Sequence, residues 1–288
     1  MRTVLAFLVA AWPLAAAAAS PWMVAAEGAL AYDDNLSNAQ RESDVAEDLA
    51  LALRGSLGRS FDLAGGDLLV RGEARGAQHD SYSGLDHYGI GLAAGWRRKL
   101  GLGLTAPWIA ADVSLFQNDY REDVRDGRSA VASATLGKRF DARFDASLEL
   151  AYDRRWQRDD LGTVPGIPGR PFDLRGRTLA LRLGAAPSEP LLLSVGVATR
   201  WGDVASSTRR NQQIFRSSAA IANDPAFGPD YIAYKLTGAR TSAYTLALSW
   251  ALGAKASVDG AVTSTRTSAP GGLDYEGNVY SLTLVYRD

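Results

Sequence analysis

The chain has 288 residues, with 31 Lys and Arg against 32 Asp and Glu, two His and no Cys. That near-neutral balance lacks the basic footprint nucleic-acid binding requires, so no nucleic-acid partner is expected. Without cysteine there is no disulfide framework, and the length suits one large β domain or two small ones.

The first element reads as an export signal. Arg2 precedes the apolar run 4–12, Pro13 breaks it, and the alanines at 15–19 supply a small-residue cleavage site before Ser20. The run is short for a membrane anchor and fits a cleaved signal over residues 1–19. Residues 20–288 then form a single domain. No later stretch is long and apolar enough for a transmembrane helix.

Beyond the signal, period-2 alternation dominates and helical spacing is scarce. It predicts twelve strands near 22–33, 44–57, 67–79, 86–98, 107–118, 128–139, 143–155, 176–185, 190–201, 241–252, 254–265 and 277–287. In the second, Leu49, Leu51, Leu53 and Leu57 share one face, while Asp48, Ala50, Ala52, Arg54 and Ser56 share the other. In the tenth, Tyr244, Leu246, Leu248 and Trp250 alternate with Thr245, Ala247 and Ser249. Short connections (61–66, 100–103, 140–142, 186–189 and Gly253) alternate with longer ones at 34–43, 80–85, 119–127, 156–175, 202–240 and 266–276. A soluble β-sandwich has no need of that regularity. An antiparallel up-and-down transmembrane barrel does, with an even strand number and short turns at one end. A hairpin inside 202–240 would make fourteen strands.

The aromatics agree. Trp22 with Tyr32, Tyr88 with Trp96, Phe144 with Tyr152, Tyr244 with Trp250 and Tyr280 with Tyr286 bracket the apolar faces, and Trp201 ends another. Amphipathic rings favour the headgroup level, so two interfacial girdles are expected.

The signal, the opening strand ending Ala31-Tyr32-Asp33-Asp34-Asn35-Leu36 and the hairpin series resemble Gram-negative outer-membrane β-barrel proteins of the porin type. The resemblance implies location in the outer membrane and a channel-like shape. It also implies contact with outer-membrane lipid and lipopolysaccharide, and insertion by the barrel-assembly machinery. Such barrels usually end on an aromatic residue, whereas here Tyr286 is followed by Arg287 and Asp288.

Strand parity sends Arg54, Arg71, Glu73, Arg75, Arg97, Asp112, Arg143, Asp145, Glu149, Arg182, Arg200 and Asp259 to the inner face. Rings of charge can select solutes; equally, such residues can pair with one another and fill the interior. The surplus of Arg points to anionic solutes. His79 and His87 flank the 80–85 loop, with Ser81 and Ser83 between them and Asp80 and Asp86 beside them. An outer-leaflet hydrolase would need a nucleophile and base in contact; two rim histidines in a polar loop are the plainer reading, and they are too few for a metal site. The alternating run Arg121-Glu122-Asp123-Val124-Arg125-Asp126 reads as a solvated loop. The 202–240 loop can fold inward to constrict a pore, or its segment 231–236 can extend the tenth strand. No phosphate loop, zinc motif or nucleophile elbow is present, so no cofactor or catalytic residue is expected. The leading expectation is passive passage of small hydrophilic, anionic solutes. The alternatives are a non-conducting accessory barrel for export, assembly or adhesion, and the hydrolase.

Overall fold

The alternating segments form strands because their Leu, Val and aromatic residues suit a pleated surface with two unlike faces. The computed structural model describes residues 22–288, so the signal segment 1–19 lies outside the described residues. The strands are β1 (Met23–Asp33), β2 (Asp48–Leu63), β3 (Gly66–His79), β4 (His87–Lys99), β5 (Trp108–Tyr120), β6 (Gly127–Arg139), β7 (Phe144–Gln157), β8 (Leu174–Ser188), β9 (Leu191–Thr208), β10 (Ala220–Asn223), β11 (Ile232–Ala251), β12 (Ala256–Ala269) and β13 (Leu273–Arg287). Consecutive strands pair antiparallel, except that β9 pairs with β11 and leaves β10 aside. β1 pairs with β13 from Ala25↔Arg287 to Asp33↔Val279, which closes a wall of twelve strands.

The fourteen-strand alternative fails on β10. It pairs within the sheet only with the upper part of β11 and stands beyond the closed wall. Two predicted loops also shrink. Strands β9 and β11 run on to Thr208 and back from Ile232, so 202–240 reduces to 209–231. The predicted 266–276 loop is only 270–272. Its tight turn uses Gly271 and Gly272, both at positive φ (85° and 72°), while Ala269, Leu273 and Tyr275 are buried. The β2–β3 turn is tighter still: Ala64 and Gly65 have φ of 52° and 71°, the mirror-image hairpin turn that matches strand twist.

The outward face carries an unbroken belt of large apolar side chains. Leu51, Leu92, Leu115, Leu150, Leu183, Val195, Leu246 and Leu284 are all exposed. So continuous a belt exceeds anything a soluble monomer shows. Trp22, Tyr88, Phe144, Tyr152, Trp201, Tyr244, Trp250, Tyr280 and Tyr286 are exposed on the same face. Tyr32 donates to Glu47 at 2.6 Å, and Trp96 donates through Nε1 to the Leu63 carbonyl at 2.9 Å. From Trp22 to Tyr32 the strand covers roughly 25 Å of height at the tilt of such barrels, the thickness of an apolar band.

Leu248 lies between Tyr244 and Trp250 on the outward face, next to inward Ala247. Leu248→Arg should lower refolding stability in bilayers by about 2–4 kcal/mol. Ala247→Arg should cost far less, as measured by reversible denaturant titration in vesicles.

Candidate pore and its cap

The inner wall has two unlike halves. From β8 round to β1 small residues predominate, Thr178, Ala180, Ser194, Ala198, Thr245, Ala247, Ser249 and Thr263 among them, with Arg182, Arg200 and Asp259 as isolated charges between them. Neighbouring threonines join across strands, Thr245 to Thr263 at 3.0 Å and Thr241 to Thr267 at 2.8 Å. From β2 to β7 the wall is denser in charge. Arg54 and Arg71 share the buried Glu73 carboxylate, each at 2.5 Å. Arg97 lies over the Trp108 ring at 4.0 Å.

Two arginines reach across a whole strand, and a glycine permits each crossing. Arg75 on β3 passes Gly89 of β4 to bind Asn118 of β5 at 2.6 Å, with its guanidinium 3.9 Å from the Phe116 ring centre. A Cβ on Gly89 would stand 2.7 Å from the Asn118 oxygen. Arg200 on β9 passes Gly176 of β8 to bind Asp153 of β7 at 2.6 Å. A Cβ on Gly176 would lie 2.3 Å from that guanidinium. The expected inner residues thus divide. Arg54, Arg71, Glu73, Arg75 and Arg200 are brought together with partners, whereas Asp112, Glu149, Arg182 and Asp259 form no ion pair among the described residues. Asp145 packs over Gly184. Arg143 departs from expectation: it falls in the turn before β7 and is exposed, because Asp141 accepts from the backbone N–H groups of Arg143 and Phe144 and delays the strand.

Asp112 and Val131 decide whether this interior is filled. Both are inner-face residues by register, Asp112 opposite Ser133 and Val131 opposite Ser114. Both are nonetheless exposed. Water-sized space therefore runs beside them inside the barrel.

At the long-loop end, the tops of β9 and β11 leave the wall. Their pairing shifts between Leu236 and Ala239, where Gly238 has φ 74°. Beyond that bulge, residues 203–208 of β9 are buried on both faces. The ribbon is sheathed on one side by Ile214, Ile221, Leu273 and Tyr275, and on the other by Val124, Phe172 and Leu174. Its tip, Ala226, Phe227 and Tyr231, packs with Leu85 and Ala46 from the β3–β4 and β1–β2 loops. β3 and β4 lie diametrically opposite β9 and β11 in the strand order, so the connection spans the mouth. The two expectations for this loop meet here: the strand extends, and the extension folds inward.

Arg125 is the hub of the cap. It is almost fully buried and binds Asp224 at 2.5 Å, which also accepts from Ser207 at 2.5 Å. Its guanidinium stacks 4.2 Å from Phe172, and Arg155 donates to its carbonyl. The neighbouring Asp126 takes the Tyr120 N–H at 2.6 Å and Arg158 at 2.9 Å, and burial raises its carboxyl pKa above the usual range. The run 121–126 is therefore only in part a solvated loop: Arg121 and Asp123 are exposed, whereas Val124 packs with Phe172 and the charges of Arg125 and Asp126 are matched by other loops and buried. The Asp33-Asp34-Asn35 step fastens the same region. Asp34 accepts from Asn278 across the β1–β13 seam, at 2.6 Å from its backbone N–H and 2.8 Å from its side chain, and Asn35 donates to Glu276 and Ala39. From this loop, Ser37 and Asn38 bond to the β9 extension at 2.8 Å and 3.0 Å. Gly89, Gly176, Phe172 and Asp224 carried no period-2 signal that marked them.

The histidines stay on the rim. His79 lies 3.7 Å from Asp86, and His87 contacts the Leu85 carbonyl at 3.1 Å and stacks on Tyr120. Among the described residues, no hydrogen bond joins either ring to Ser81 or Ser83, the contact a nucleophile would need.

No protein-family model matches the chain, and no curated protein matches it. Solved structures do. An outer membrane channel from Pseudomonas putida F1 aligns with TM-score 0.60 at 12% identity, covering 93% of this chain and 95% of its own. The KdgM porin, in complex with disordered oligogalacturonate, aligns with TM-score 0.45 at 9% identity over 91% and 98%. The NanC porin gives 0.45 at 6% over the same shares. At these identities the first likeness establishes the fold. The chain is a closed, twelve-stranded antiparallel β-barrel of the outer-membrane type.

Proposed function

We propose that the protein is an outer-membrane channel for passive passage of small hydrophilic solutes, delivered by a cleaved signal at 1–19 and held shut at rest by its loop cap. The observation that carries this reading is the water-accessible inner wall at Asp112 and Val131 inside an apolar-faced barrel. Small residues on β8 to β1 leave the space, and the Arg-rich wall makes it polar. The P. putida protein of the same fold is described as an outer membrane channel, which agrees. The short turns then face the periplasm, the cap faces outward, and insertion falls to the barrel-assembly machinery.

An anionic preference rests on Arg182 and on the Arg54–Arg71 pair, which shares the single acid Glu73. Asp112, Glu149 and Asp259 on the same inner face oppose it. The proposal therefore commits to small hydrophilic solutes of either sign. The cap favours one second reading, a non-conducting accessory barrel whose packed loops bind a partner.

Single-channel recording separates the two. The wild-type barrel should conduct in brief openings. Arg125→Ala strands the buried Asp224 carboxylate, a loss of about 3–5 kcal/mol for a broken buried pair. It should lengthen openings several-fold and expose 209–231 to limited proteolysis while the barrel stays folded. A silent bilayer with both proteins would favour the accessory barrel. In a conducting barrel, replacing Arg71 and Arg182 with Ala should move the reversal potential toward cations; unchanged potentials would remove these residues from the conduction path.

A further inference from the structure

One cleft at the long-loop end lies among the loops, beyond the barrel wall. It holds about 660 Å³, and three segments of the cap meet around it. Ile221, Asn223 and Ile232 come from the β10–β11 hairpin, Phe215 from the short helix α1 (Gln212–Ser217), and Val164 from the β7–β8 connection. Ile221 is buried and forms the floor. Phe215, Asn223 and two arginines of the lining, Arg210 and Arg216, are exposed. Local contacts fix this shape before anything enters. Asn211 caps α1 by accepting from the Gln213 and Ile214 N–H groups. Ile214 then packs into the cap, and its helical neighbour Phe215, about 100° further round, faces solvent. The Ile221 N–H donates to the Pro168 carbonyl at 2.8 Å, and Gly162 bridges to Ala222. Both contacts hold the β7–β8 connection against the hairpin.

The lining suits a small organic anion. Clefts of this volume take an apolar body on their walls and orient it with a few polar groups. Val164, Phe215, Ile221 and Ile232 supply the walls, and the exposed Phe215 offers a ring to stack on. Arg210 and Arg216 supply the charge. Among the described residues, no carboxylate forms an ion pair with either. The nearby acids are engaged elsewhere: Asp160 accepts from the Gly162 and Gly169 N–H groups and faces Arg170 at 3.7 Å, and Asp224 is held by Arg125. Guanidinium forks match a carboxylate, whereas a neutral ring would leave them unused and a cation would be repelled.

We propose that this cleft binds a small aromatic carboxylate, its ring against Phe215 and Ile221 and its carboxylate on Arg210 and Arg216. Bound there, the ligand touches three segments that meet only while the cap is closed, so it holds the cap shut by mass action. This closure step rests on the channel reading above; the binding does not. The test refolds the full barrel into phosphatidylcholine nanodiscs and measures 2-naphthoate by equilibrium dialysis, with uptake by empty nanodiscs subtracted. 2-Naphthamide serves as the uncharged ring and acetate as the charge without a ring. 2-Naphthoate should bind with a dissociation constant of about 0.1–1 mM, the range open to so small a ligand. The amide and acetate should each bind about tenfold more weakly. Arg210→Ala/Arg216→Ala should weaken 2-naphthoate by a similar factor and leave the thermal midpoint of the barrel unchanged. If that variant does not fold, Phe215→Ser should weaken binding several-fold. An amide that binds as well as the acid, or undiminished binding in the variants, would overturn the site. Saturating 2-naphthoate should also slow proteolysis of 209–231 several-fold and shorten channel openings. Unchanged proteolysis with binding intact would overturn the closure step. A silent bilayer with binding intact would remove the channel reading and leave the site standing.

Discussion

Everything in this protein depends on the pairing of β1 with β13. In hydrocarbon a strand has no water to satisfy its N–H and C=O groups, and each unpaired group costs several kcal/mol. A sheet with two edges cannot exist there. Closing the seam from Ala25↔Arg287 to Asp33↔Val279 removes both edges at once. The Asp34–Asn278 contact pins that seam where it meets the loops. With closure achieved by the backbone, side chains are free to differ completely between the two faces.

The wall and the cap are held by different physics. The wall relies on ladder hydrogen bonds, which make few demands on side-chain identity beyond apolar outside and small or polar inside. The cap relies on a few specific contacts between loops distant in sequence: Arg125 with Asp224, Ser207 with Asp224, and Asn38 with the β9 extension. Breaking one partner of a buried ion pair is costly, whereas removing one ladder side chain is not. A structure so divided can change at its mouth without disturbing its span. Such a division pairs a stable frame with a closure held by apolar packing and a few specific polar contacts.

The inner charges illustrate how far parity carries. Alternation alone sends Arg54, Arg71 and Glu73 to one face, and their antiparallel register brings them together as expected. Parity cannot say that Arg200 reaches Asp153, because that contact skips a strand and depends on Gly176 lying beneath it. Nor can it say that Arg143 is held in a turn, since the cause is a local hydrogen bond from Asp141. The residues of 121–126 have the pattern of a solvated loop, and Arg125 and Asp126 would be as exposed as Arg121 and Asp123 if Asp224, Arg158 and Phe172 were not delivered to the same spot by other hairpins.

The amino-acid order by itself determined the barrel. Period-2 alternation, turn chemistry and aromatic placement are local signals repeated twelve times, and each repeat corrects the errors of the others. It also set the strand parity that puts Arg54, Arg71, Glu73 and Arg75 on one face of β2 and β3, though not the place of Arg143 before β7. Only the tertiary structure decided that the longest connection bridges the mouth and that the interior keeps room for water at Asp112. Those facts are set by register between strands and by loops meeting across the barrel. Such contacts join residues as far apart as Asn38 and Ala205, and no local periodicity encodes them.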